Sequence, residues 1–146
     1  MAEPPVRQQQ TFPRRDERGR VASWPEMVVG VVLNVVVGTI ILAAIDGIIA
    51  LLGSGTFGTF SGWIAGILAV WLFVEDFRAW KIGTGRIGVC LLGIVLGLGV
   101  GIVIARSLTI LPNLFAGAVG VLVAALLYAA VWFFGIRALA DRIGER

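Results

Sequence analysis

The sequence predicts an all-α, polytopic integral membrane protein: four transmembrane helices in a compact bundle with both termini cytoplasmic. Three observations predict it. The 146 residues are 58% hydrophobic and 14% charged, whereas an ordinary soluble domain carries roughly 25% charged residues. The mean hydropathy is +0.96, more apolar surface than a fold of this size hides from water. The apolar residues also fall into continuous runs of about twenty, the length of a spanning helix, not the ten-residue alternating segments of a membrane β-barrel.

Residues 1–24 read as a disordered basic cytoplasmic tail. They hold Pro4, Pro5, Pro13, the run Gln8-Gln9-Gln10 and five arginines, a composition that cannot bury a core. This is not a cleavable signal peptide, because the apolar run that follows is too long for one. The four-helix domain is placed at residues 25–137. Its first helix covers about 27–52 and ends at the turn Gly53-Ser54-Gly55. The second covers about 56–74 and stops at Glu75, Asp76, Arg78 and Lys81. Gly83-Thr84-Gly85 breaks the chain, with Thr84 placed to cap the third helix, about 87–108. Pro112-Asn113 is the next turn, the fourth helix covers about 114–136, and residues 138–146 form a short cytoplasmic tail.

Charge fixes the expected orientation. Of twelve Lys and Arg, only Arg106 falls on the side away from the termini, a strong positive-inside signal. Trp24, Trp80 and Trp132 then lie at the cytoplasmic interface, with Phe57, Phe60 and Phe115 at the outer one, as an aromatic belt. The charge pattern makes nucleic acid an unexpected partner despite the pI of about 10.0; the expected surroundings are the lipid bilayer. Eleven Arg against one Lys, in a chain rich in Ala, Val and Gly, point to a G+C-rich, bacterial genome and hence a multi-pass protein of the inner cell membrane.

The chain has no His and one Cys. That excludes a His-based triad, a His-ligated zinc or haem site and an intrachain disulfide. Cys90 reads as a packing residue. No catalytic residue, metal site or cofactor is expected, and the protein reads as a non-enzyme. Glu75 and Asp76 look like an acid–base pair but read as a solvated helix end beside Arg78 and Lys81.

Small residues recur at four-residue steps: Ser54, Gly58, Gly62 and Gly66; Gly93, Gly97, Gly101 and Ala105; Ala116, Gly120 and Ala124. Such ladders let helix backbones approach closely in lipid. Either they pack one bundle together, or one of them mates with a second copy or another membrane protein. Ala69-Val70-Trp71-Leu72-Phe73 and Ala130-Val131-Trp132-Phe133-Phe134 suggest a faint duplication into two-helix halves. Asp46 and Arg106 each lie nineteen residues into parallel helices, at the same depth, ~29 Å above the cytoplasmic boundary. They could form an interfacial ion pair, or serve separately as a cation or anion site. Asn34 and Tyr128 lie deeper and read as interhelical hydrogen-bonding groups or as part of an intramembrane polar site.

Val29-Gly30-Val31-Val32-Leu33-Asn34 opens a two-helix unit that ends Phe73-Val74-Glu75-Asp76-Phe77-Arg78-Ala79-Trp80, and a second unit runs from Arg86 to Phe134 and Arg137. Over residues 28–137 this resembles GtrA-like four-helix membrane proteins, with Asp76 where asparagine is usual and no closing aromatic in the second half. The resemblance implies handling of polyprenyl-phosphate-linked sugars, with Arg78, Trp80 and Arg137 where a lipid phosphate could be met. Two functions follow as expectations: an oligomeric or accessory subunit of a membrane complex, suggested by the ladders, or a small transporter or flippase.

Overall fold

The computed structural model describes residues 12–53 and 58–144, and among them every regular element is helical. Helix α1 is Trp24–Leu51, α2 Thr59–Trp63, α3 Ile67–Ala79, α4 Gly85–Ser107 and α5 Asn113–Ile143; a 3-10 turn, Ile64–Gly66, joins α2 to α3. Three of these, α1, α4 and α5, are long and apolar enough to cross a membrane. Their 28, 23 and 31 residues reach roughly 42, 35 and 47 Å, against a hydrocarbon core of about 30 Å. The outward faces of α1, α3 and α4 carry large exposed apolar side chains such as Ile40, Ile48, Val70, Val95 and Val103, the surface lipid requires.

Local chemistry explains where elements start and stop. Pro25 occupies the first turn of α1, where its missing N–H costs nothing. Thr84 does stand at the α4 N-cap, but its backbone carbonyl rather than its hydroxyl receives the first N–H, that of Ile87. Gly144, at φ 74°, closes α5 in the left-handed conformation. The segment expected as one helix at 56–74 is instead α2, the 3-10 turn and α3. Gly62 and Gly66 weaken the helix there while pressing against α5. It also runs on to Ala79, because Glu75 and Asp76 both find partners. The fourth helix likewise continues two turns past 136, burying Ile136 and Ala140, so most of the expected tail at 138–146 is helix.

The expected disorder of residues 1–24 fails for its second half. Residues 12–23 form a strap across the end of the bundle, a small hairpin with an Arg15–Val21 bridge. Its turn is held by Asp16, whose carboxylate accepts the N–H groups of Arg18 and Arg20, and by Gly19 at φ 79°. Residues 1–11, and with them Pro4, Pro5 and the glutamine run, lie outside the described residues. So do Ser54, Thr56 and Phe57.

Helix α5 is the hub. It packs along α4 over most of both lengths and also on α1, α2 and the 3-10 turn, while α1 packs on α3. The small-residue ladders make these interfaces. A Cβ on Gly97 would stand 2.6 Å from the Ala124 carbonyl oxygen, and one on Gly101 2.6 Å from that of Gly120. Gly62 leaves no room for a Cβ against the Leu114 carbonyl. Gly58 faces open space. The ladders of α4 and α5 are therefore used up against each other within one chain.

Candidate functional site

The strap end of the bundle is built around Asp76. Its residue is 2% exposed, so the expectation of a solvated helix end is overturned for it. One carboxylate oxygen accepts the Val21 backbone N–H at 2.7 Å. The other accepts the indole N–H groups of Trp132 at 2.7 Å and Trp80 at 3.2 Å. A buried carboxylate is tolerated only with such donors. Three elements thus meet on one side chain: α3, α5 and the strap. Glu75, one residue earlier, points the other way. It accepts Arg15 of the strap at 2.6 Å and the Trp71 indole N–H at 2.8 Å, and it is exposed.

Arg137 completes the junction. Its guanidinium donates to the Val21 carbonyl at 3.0 Å and to Phe133 at 3.4 Å, and lies over the Phe133 ring. The Val21 peptide groups are therefore gripped from both sides, N–H by a carboxylate and C=O by a guanidinium. Arg20 stacks over Trp80, 3.9 Å from the ring centre. Arg86 donates to the Trp80 carbonyl at 2.7 Å and covers Phe77.

Trp80 and Trp132 are buried here as hydrogen-bond donors, so neither acts as the interfacial belt anchor expected of it. Trp24 packs tilted on Phe133 and Phe134. Phe115 is exposed; the Phe60 side chain lies outside what the structure describes. The matched pentapeptides stand in opposite settings: Trp71 is 67% exposed and Trp132 fully buried.

Above this junction, a cleft of about 520 Å³ opens sideways between α3 and α4. The two helices barely touch each other, and α5 forms the floor. Ala69, Phe73 and Phe77 line one wall, Gly93 and Gly97 the other, and Ala125 and Tyr128 lie at the base. Gly93 makes room for the Tyr128 ring, since a Cβ there would lie 2.9 Å from it. The Tyr128 hydroxyl and Cys90 thiol satisfy each other at 3.4 Å. Arg78 is the one charged side chain in the lining, and it is exposed at the strap end of the cleft.

The other predicted polar residues fare differently. Asn34 does not bridge helices: its amide donates to Gly30 of its own helix at 2.9 Å. Tyr128 does bridge α5 to α4, through Cys90. Asp46 and Arg106 stand on helices that touch each other little, if at all. Both helices, α1 and α4, pack on α5, and the ion pairs Arg14–Glu26 and Arg15–Glu75 lie at the opposite end. Equal depth along two helices says nothing about which faces they turn to each other. Of the three expected phosphate contacts, Trp80 is buried and Arg137 is occupied by backbone carbonyls, so Arg78 alone is disposed toward a ligand.

Comparison with known proteins finds no match: no family model fits the chain, and neither a curated protein nor a solved structure is similar to it.

Proposed function

We propose that the protein is a small non-enzymatic lipid-handling protein of the bacterial inner membrane, of transporter or flippase type. It crosses the membrane four times, α2 to α3 making the second crossing over ~31 Å, with both termini cytoplasmic by the distribution of Lys and Arg. The observation that carries the reading is the sideways cleft with Arg78 at its end. An apolar slot open to the bilayer takes a hydrocarbon chain, and a cation at the headgroup level selects an anionic head. The GtrA-like resemblance narrows this to a polyprenyl-phosphate-linked sugar.

The accessory or homo-oligomeric reading had the glycine ladders as its motive. Those of α4 and α5 are spent inside the chain, so the lipid reading is preferred. A direct test uses Cys90, the chain's one cysteine, which lines the cleft. In phosphatidylcholine nanodiscs, added phosphatidylglycerol should slow alkylation of Cys90 by N-ethylmaleimide. Arg78→Gln should abolish the preference for the anionic lipid. Ile94→Trp, which fills the cleft from its exposed edge, should abolish protection by either lipid. Alkylation indifferent to lipid in the native chain would refute the reading.

A further inference from the structure

We infer that the strap regulates the cleft: docking of residues 12–23 on Asp76 holds the cleft in its lipid-accepting form, and undocking weakens it. The inference rests on the cleft being a lipid site. It is carried by an unbroken line of contacts between the two.

The line starts at Val21, buried at the strap's end, whose N–H reaches Asp76 and whose C=O receives Arg137. The same Asp76 carboxylate fixes the Trp132 indole. Trp132 is then the common backing of the cleft's aromatic wall. Phe77 packs on it at 5.5 Å, and Tyr128 stacks parallel to it at 6.4 Å. Phe73 closes edge-on against Tyr128 at 4.5 Å. Phe73, Phe77 and Tyr128 all face the cleft. Arg86 lies over the Phe77 ring, 4.6 Å from its centre. A change in the strap thus reaches the lining through one carboxylate and one indole. Coupling of this kind requires an element with two arrangements.

The strap is suited to be that element. Its hairpin is closed on itself by Asp16 and Gly19. Its ties to the bundle include Arg15 to Glu75, Arg14 to Glu26, Arg20 on Trp80, and Val21 with its buried side chain and peptide groups. None of these lies between α4 and α5, so the strap can leave while the helices stay together. Weakly held elements at a domain edge are the ones that open below the global unfolding energy.

The test is lipid protection of Cys90, compared between the native full-length chain and Val21→Asp, which sets a second carboxylate against Asp76. Faster tryptic cleavage after Arg18 and Arg20 confirms that the strap has left. Half-protection of Cys90 should then need at least about fivefold more phosphatidylglycerol, the lower edge of ordinary site-to-site coupling. Coupling between binding equilibria is reciprocal, so phosphatidylglycerol should slow strap cleavage in the native chain by a similar factor. If Val21→Asp disturbs the bundle itself, the paired change Arg15→Ala with Gly19→Val undocks the strap without entering the Asp76 seat. Unchanged half-protection in a chain whose strap is cleaved faster overturns the coupling and leaves the lipid site standing. Absence of any protection in the native chain overturns both.

Discussion

Asp76→Ala is expected to cost about 3 kcal/mol of stability, the largest loss for a single polar side chain in this protein. Three N–H donors, from Val21, Trp80 and Trp132, converge on that carboxylate. Truncation leaves them buried with no acceptor, at about 1 kcal/mol or more each. Asp76→Asn should lose less, about 1–2 kcal/mol, because one amide oxygen still accepts while the amide NH₂ opposes a donor. Trp132→Phe should cost a similar amount in the native chain and much less once Asp76 is alanine, since its partner is then gone. The measurement is thermal or denaturant unfolding in detergent, followed by near-ultraviolet circular dichroism. An Asp76→Ala chain that unfolds with the native midpoint would mean that water satisfies these donors and that the junction contributes nothing.

The role of Asp76 was legible in the sequence, though not by reading it as half of a charged pair. Ala69, Leu72, Phe73, Asp76 and Trp80 follow one another at steps of one, three or four, on a single helix face, and all are buried. Trp71, Glu75 and Arg78 follow the same steps on another face, and all are exposed. A carboxylate in phase with the apolar stripe must be buried and must find donors. The neighbouring carboxylate, out of phase, need not.

Other features carried no such signal. The strap is polar and aperiodic, and it is ordered through the buried Val21, its backbone groups and side-chain contacts with distant residues, such as Arg15 with Glu75 and Arg20 with Trp80, that composition does not reveal. The cleft exists because α3 and α4 fail to meet over α5, a fact of tertiary arrangement. The apolar runs located α1, α4 and α5 to within a few residues at most ends, because lipid demands length and apolarity alone. The exception was the end of α5, where Arg137, Asp141 and Arg142 suggested a stop that the buried Ile136 and Ala140 override.

The glycines of α4 offer the sharpest separation of packing from propensity. Gly97 and Gly99 share one helix, two residues apart, and face opposite ways. Gly97 lies against α5, where a Cβ would sit 2.6 Å from the Ala124 carbonyl oxygen; a Cβ on Gly99 meets nothing within 4 Å. Under lipid, close backbone approach supplies the attraction that the hydrophobic effect supplies in water. Gly97→Ala must therefore push α4 from α5, at about 1–3 kcal/mol, the usual cost of overpacking. Gly99→Ala should be neutral or stabilising, by at most about 1 kcal/mol, since alanine is the better helix former and nothing obstructs it. Gly101 repeats the Gly97 contact against Gly120, so Gly97→Leu with Gly101→Leu should abolish folding of the single chain. Measured side by side in one detergent, the Gly97→Ala midpoint should fall below the native value while the Gly99→Ala midpoint stays at or above it. If the Gly97→Ala chain keeps its midpoint while only its particle size in detergent changes, the ladder joins copies and does not pack α4 on α5 within one chain.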